Sequence, residues 1–160
     1  MALNPQSLQS ALQSLGSNPP ASTADAGQKW ADAYFQYALA AQALDATPVA
    51  LAATTSSPLA VQFTAAMTAQ TFLQQLPLIL TAFWLTPPVL FVGVNNGPAS
   101  VVLGTPALAT AIAAMTAINT TGAGGSTPLA TLVTAIDAFT RTVTVTLVNP
   151  SGVTIPTPLL

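Results

Sequence analysis

The stretch "LPLILTAFWLTPPVLFVGV" runs from Leu76 to Val94 and contains no charged residue. As a single helix it would be about 28 Å long, close to the ~30 Å hydrocarbon core of a bilayer. The fold depends on which of two structures this stretch adopts. It either spans a membrane, or it is the buried end of a helix followed by a buried strand.

Three features of the sequence favour the second structure. Pro87 and Pro88 interrupt the stretch, and a proline lacks the amide donor and disfavours helical geometry in the residue before it. Extending a span towards the N-terminus brings in glutamines, and no Lys or Arg flanks the stretch to set an orientation. We therefore expect a helix and then a strand. The alternative is a small membrane-associated protein that uses residues 76–94.

The segments that follow predict strands. "VLFVGV" (89–94), "NNGP" (95–98) and "ASVVLG" (99–104) predict a β-hairpin, because Asn-Gly favours a turn. "RTVTVTLV" (141–148) alternates apolar residues with Thr, which is typical of a strand with one buried face. The prolines of residues 149–160 rule out a helix and predict an extended arm.

Apolar residues at helical spacing predict helices elsewhere. Ser22 or Thr23 is expected to cap the second of them, and Pro77 to kink the third. The helices are predicted over residues 5–15, 23–45, 58–85, 106–119 and 128–140, with connectors at 16–22, 46–58 and 120–128.

The fold class that these patterns predict is α+β and mainly helical. It has about four to five helices, a short β-hairpin or sheet and an extended C-terminal arm. Residues 1–148 form a single domain, in which residues 1–22 are the N-terminal helix and linker. The Pro-rich arm is residues 149–160.

The composition indicates a surface made for packing against other chains. Charged residues make up 4% of the 160 residues, against about 25% in ordinary soluble domains. The formal net charge is −2 and the mean hydropathy is +0.61. Soluble monomers resist association with charged side chains. The polar surface here must consist of Thr, Ser, Gln and Asn, which are easily desolvated.

The same composition excludes several kinds of function. Two positive residues cannot form a basic patch, so we expect no nucleic-acid binding. Without His and Cys, the common general base and the soft metal ligands are missing. We therefore expect no enzyme, with no catalytic residue, cofactor, metal or small-molecule substrate.

The few charges are expected to have structural roles. Lys29 is spaced to pair with both Asp25 and Asp32 on one helix face, and residues 137 and 141 form a further i, i+4 pair. Asp45, at a helix end, is expected to cap the turn that follows it.

One segment carries a resemblance. "DAGQKWADAYFQYALAAQAL" (25–44) is an Ala-rich helix with Trp-Ala-Asp-Ala-Tyr and a second Tyr. It resembles the N-terminal part of small proteins encoded among the morphogenesis genes of tailed bacteriophages, over residues 1–45. The resemblance implies a virion component of the neck, tail, baseplate or capsid surface, assembled in the host cytoplasm. Such proteins form rings or occupy repeated sites, and their arms often lie on neighbouring subunits.

The sequence thus predicts a non-enzymatic structural protein of a virion. Its partners would be copies of itself and other virion structural proteins, without nucleic acid or membrane. Large side chains would anchor the contacts between subunits, and the C-terminal arm would order on a neighbour. The predicted interface residues are Trp30, Tyr34, Tyr37, Phe83, Trp84, Ile155, Pro156, Leu159 and Leu160.

Overall fold

The predicted α+β, mainly helical fold is confirmed. The computed structural model of the chain describes residues 3–48, 56–102, 108–110, 112–113 and 126–160. Residues 108–110 and 112–113 are helical; the rest of the helix predicted over 106–119, and most of the 120–128 connector, lie outside the described residues. The other helices are α1 (Pro5–Ser17), α2 (Thr23–Leu39), α3 (Ser57–Thr68), α4 (Phe72–Leu85) and α5 (Ser126–Thr140).

The strands form one antiparallel sheet in the order in which they occur in the chain. Helices α3 and α4 are inserted between the first two strands, and α5 between the third and the fourth. The predicted hairpin is present, but it belongs to a larger sheet than we expected. The five strands are β1 (Thr47–Pro48), β2 (Leu90–Val92), β3 (Gly97–Val102), β4 (Val143–Val148) and β5 (Thr154–Pro158).

The stretch from Leu76 to Val94 divides at its prolines, as predicted. Helix α4 ends at Leu85, the Thr86–Pro87 peptide bond is cis, and β2 begins three residues after Pro87. The stretch is buried on one side only, since Leu78 is 72% exposed. Within the described residues, no helix combines the length and the apolar character needed to cross a membrane.

The prediction of one helix over residues 58–85 is wrong. The chain turns at Gln70, which has a φ of 57°. Thr71 N donates to Ala66 O, and Gln70 N donates to Met67 O, the hydrogen bonds of a Schellman C-cap. A continuous helix would be about 42 Å long, roughly the full diameter of a domain of this size. The turn folds α3 and α4 back onto the same core, while Pro77 lies inside α4.

The second predicted helix is shorter than expected at its C-terminus. Helix α2 ends at Leu39, and Ala43 and Ala46 form an isolated bridge just before β1. Its predicted start is confirmed, because Ser22 Oγ accepts a hydrogen bond from Asp25 N at 3.1 Å. Gly27 allows α2 to approach α3 closely: a Cβ atom there would lie 2.1 Å from Thr64 Oγ1.

The C-terminal arm is extended, but it is part of this domain. Strand β5 pairs with β4 in the same chain. Beyond it, Leu160 N donates to Gln42 O at 2.9 Å, and Leu3 N donates to Leu160 O at 3.0 Å. The expectation that the arm orders on a neighbour is therefore corrected. An uncovered β4 edge would leave a row of unpaired backbone groups, and β5 satisfies them.

The core lies between the helices and one face of the sheet. Trp84 of α4 stacks on Phe91 of β2, with ring centroids 6.3 Å apart. The inward-facing residues of the sheet are buried and alternate with exposed or half-buried ones. The buried ones are Pro48, Phe91, Ala99, Val143, Val145, Leu147 and Thr157.

Candidate interaction surface

The opposite face of the sheet is open and uncharged. We call it the outer sheet face. Its most exposed apolar side chains are Leu90, Val92 and Val148, which are 50%, 47% and 41% exposed. The described residues of the outer sheet face are Thr47, Leu90, Val92, Pro98, Ser100, Thr144, Thr146, Val148, Thr154, Pro156 and Pro158.

The period of two in β2 and β4 produces this surface. Phe91 points into the core, so its neighbours in β2 must point outwards. In β4 the valines are buried while Thr144 and Thr146 are half-buried on the outer side. The hydroxyl groups bond locally: Thr146 Oγ1 donates to Ser100 Oγ at 2.7 Å, and Ser100 Oγ donates to Thr144 O at 3.1 Å. A hydroxyl group that already has a hydrogen-bond partner in the protein costs less free energy to remove from water than one without a partner.

Charge is confined to other parts of the molecule. The ion pair of Lys29 with Asp25, at 3.0 Å, lies on α2. The ion pair of Arg141 with Asp137, at 2.8 Å, lies at the end of α5. Both pairs were predicted from i, i+4 spacing. Every charged side chain of the sequence therefore lies on a helix, just after one, or at a turn, and none lies among the described residues of the outer sheet face.

Asp32 does not join the predicted ladder with Lys29. Its Oδ1 accepts a hydrogen bond from Gln28 Nε2 at 2.8 Å and another from the hydroxyl group of Ser56. Gln28 Nε2 also donates to Ser56 Oγ at 2.9 Å. The carboxylate thus fixes the start of α3 against α2, a role that spacing within one helix could not indicate.

Asp45 caps a turn that is remote in the sequence, so its predicted role in the following turn is wrong. Its carboxylate accepts hydrogen bonds from Asn95 Nδ2 at 2.7 Å, from Asn95 N at 3.2 Å and from Val94 N. The side-chain hydrogen bond of Asn95 is the main reason that the pKa of Asp45 is lowered, with the two backbone amides adding to it. This contact fixes the β2–β3 turn against the chain that precedes β1.

The β5 edge of the sheet is closed to further strands. Leu159 N donates to Val143 O at 3.2 Å, so these two residues form a hydrogen-bonded pair. Along an antiparallel ladder, hydrogen-bonded pairs alternate with non-hydrogen-bonded pairs. By the register of β5, Pro156 and Pro158 fall in non-hydrogen-bonded pairs, so their backbones face away from β4. Proline has no N–H group, so an added strand would find few donors there.

Most of the predicted interface residues are buried or half-buried within the chain. Tyr34, Tyr37, Trp84 and Leu159 are buried, so their surface is not accessible to another molecule, and their predicted role as contacts between chains is corrected. Trp30, Phe83 and Ile155 are half-buried against the core. Only Pro156, on the outer sheet face, and Leu160 are exposed.

The buried aromatic residues stay in the core because their polar atoms find partners there. Trp84 Nε1 donates to the Tyr34 hydroxyl group, and Tyr37 donates to Asp137. Burial raises the pKa of Tyr34 to about 12 and also raises the pKa of Tyr37. Both phenols are therefore neutral and engaged at physiological pH. The segment "VLFVGV" is apolar on both faces, so the sequence carried no signal that Leu90 and Val92 would point outwards.

A cleft of about 500 Å³ lies between α1 and α2. Its charged groups already have partners: Lys29 pairs with Asp25, and Asp32 with Gln28 and Ser56. Within the described residues there is no cluster of three or more potential metal ligands. The cleft is lined by Ser7, Ala11, Ser14, Leu15, Asn18, Lys29, Asp32, Ala33, Gln36 and Tyr37.

The chain matches no protein-family model, no curated protein and no solved structure.

Proposed function

We propose that the chain is a non-enzymatic structural protein of a tailed-bacteriophage virion, which assembles by packing between subunits. The observation that carries this proposal is the outer sheet face, a broad and uncharged surface with exposed Leu90, Val92 and Val148. Its partners would be copies of the chain and other virion structural proteins.

The chemistry of the outer sheet face suits burial against another protein surface. Removing apolar surface from water contributes roughly 25 cal/mol per Å². Thr144 and Thr146 are half-buried, Thr146 donates a hydrogen bond to Ser100, and no charge has to be desolvated among the described residues of this face. An isolated subunit would leave this surface exposed, which proteins that work as monomers usually avoid with Lys or Glu.

The assignment to a virion also rests on the sequence. The segment 25–44 that resembles phage morphogenesis proteins includes most of α2. Tyr34 and Tyr37 of this helix form hydrogen bonds with α4 and α5. A chain with 4% charged residues is suited to a place among other subunits. Assembly in the host cytoplasm and incorporation into the particle would bury the outer sheet face.

Two measurements test the proposal. Light scattering on a size-exclusion column, without detergent, should show an association that grows with concentration. Mass spectrometry of purified particles of a phage that encodes the chain should find it at a fixed, multi-copy ratio to the other structural proteins. Absence of the chain from such particles would refute the virion assignment.

A further inference from the structure

We infer that the outer sheet face packs against the outer sheet face of a second copy, related by a two-fold axis. This inference rests on the proposed assembly function and adds the partner and the geometry. The contact would be a sheet-on-sheet packing, with the two faces about 10 Å apart. Each copy would contribute the same surface, as a two-fold interface requires.

The distribution of charge allows this pairing. A two-fold axis brings each residue close to residues of its own kind, so a charged face would repel its copy. Five of the six charges lie away from the described outer sheet face: Asp25, Lys29 and Asp32 on α2, and the Asp137–Arg141 pair at the end of α5. The sixth, Asp45, lies beside the face at the β2–β3 turn, where its carboxylate accepts hydrogen bonds from Asn95 and from the Val94 amide. With a net charge of −2, long-range repulsion between two copies is also small.

The area is sufficient only for a weak dimer. The five strands comprise two, three, six, six and five residues, and at ~3.3 Å per residue and about 4.8 Å between strands they give a face of roughly 350 Å². Two such faces together bury about 700 Å², which is less than the ~1,000 Å² of a stable interface and is in the range of a transient one. Exposed Val94 and Val153, at the two hairpin turns beside the face, can extend it. We therefore expect a reversible dimer that dissociates on dilution.

The edges of the sheet direct association to the face. Strand β1 has only two residues, which offer little for an added strand. At the other edge, Pro156 and Pro158 remove two of the outward amide donors of β5 and leave that of Thr154. Edge-to-edge extension of the sheet is therefore disfavoured, although edges are the usual site of unwanted sheet association.

The experiment uses the absence of cysteine from the chain, which makes each introduced thiol unique. Ser100→Cys places a thiol on β3, the central strand of the sheet, with little change in size. Thr68→Cys places one at the exposed end of α3 as the matched control. A bis-maleimide with a reach of about 10 Å should link two copies of S100C and fail to link T68C.

A second pair of variants tests the affinity. Val92→Lys puts a charge on the outer sheet face, and Thr68→Lys puts the same charge on α3. Since a two-fold axis brings the new charges of both copies to one interface, we expect the V92K dimer dissociation constant to rise at least about tenfold. T68K should leave it unchanged, and circular dichroism should show that both variants fold.

Each outcome decides the inference. Cross-linking of S100C alone, together with dissociation by V92K, supports face-to-face pairing. A chain that is monomeric at every concentration, or an oligomer that links through T68C and not S100C, overturns it. In either of these cases the proposed virion function still stands if purified particles contain the chain, and it falls if they do not.

Discussion

The indole Nε1 of Trp84 donates a hydrogen bond to the hydroxyl oxygen of Tyr34 at 2.9 Å, in the buried core. Tyr34 in turn lies 3.0 Å from Thr140 Oγ1, and Thr140 donates to Ile136 O at 2.9 Å. Because the proton of Thr140 is used on Ile136, Tyr34 must donate to Thr140. This chain of hydrogen bonds joins α4, α2 and α5 and leaves no polar atom in it without a partner.

Removing the Tyr34 hydroxyl group should destabilise the fold. Tyr34→Phe leaves the Trp84 N–H buried without an acceptor, which costs about 1–3 kcal/mol of the free energy of unfolding. Urea unfolding followed by tryptophan fluorescence measures the loss. Tyr37→Phe is the control with the same atoms removed, and it should cost less because Asp137 keeps its ion pair with Arg141. Equal costs for the two variants would contradict the stabilising role of the buried hydrogen bonds of Tyr34.

Stability should fall in alkali between about pH 10 and pH 12. The pKa of Tyr34 is raised by burial from 10.0 to about 12, so the folded state keeps the proton over a range in which the unfolded state has lost it. The folded state therefore binds more protons, and the free energy of unfolding decreases as pH rises, by about 1.4 kcal/mol per pH unit for one such group. Tyr37 acts in the same direction.

Chemical unfolding at a series of pH values between 8 and 11.5 measures this dependence. Stability should be nearly constant up to about pH 9, because the chain has no His and no Cys to titrate there. Tyr34→Phe should make the alkaline slope shallower. A slope that Tyr34→Phe leaves unchanged would show that another group is responsible.

Gly97 should not tolerate a side chain. A Cβ atom there would lie 1.9 Å from the Thr146 carbonyl oxygen of β4, so Gly97→Ala must displace β3 from β4. We expect a loss of at least about 2 kcal/mol in the free energy of unfolding. Gly16→Ala is the matched control, since Gly16 is exposed near the end of α1 and a Cβ atom there would meet no other part of the chain within 4 Å. It should stabilise the fold by about 0.5–1 kcal/mol, because Ala favours a helix.

Replacing each of the last two leucines by alanine should have different effects on stability. Leu159 is 2% exposed and Leu160 is 51% exposed. Leu159→Ala should cost about 2–4 kcal/mol of the free energy of unfolding, because it opens a cavity in the core. Leu160→Ala should cost less than about 0.5 kcal/mol, because its backbone hydrogen bonds are kept. Equal, small effects would mean that the segment is not part of the folded domain in solution.

Local patterns predicted much of the backbone. The alternation of "RTVTVTLV" identified β4 and its buried valines. The β2–β3 hairpin was predicted correctly, but its turn precedes the Asn-Gly pair, because Gly97 already belongs to β3. Ser22 identified the start of α2, and Pro87 and Pro88 the end of α4. Each of these signals acts within a few residues, through backbone geometry or the position of side chains on one element.

The candidate surface was predicted less well, because large aromatic residues are suited equally to a core and to an interface. Tyr34 and Trp84 can lie in the core because their polar groups are hydrogen-bonded there. The Trp84 indole donates to the Tyr34 hydroxyl group, which is also bonded to Thr140. Those partners lie on other elements, so no spacing in the sequence could indicate them. The outward positions of Leu90 and Val92 follow from the period of two in a strand once Phe91 is placed in the core.

The sequence by itself determined the positions of most helices and strands, the scarcity of charge and the expectation of a surface suited to packing. Only the tertiary structure decided that the C-terminal arm is strand β5 of the same sheet and that the Asp45 carboxylate accepts hydrogen bonds from Asn95. It also decided that the uncharged surface is one face of a sheet. Helical and strand periods act through neighbouring residues, whereas these contacts form between segments far apart in the chain and depend on how the helices pack against the sheet.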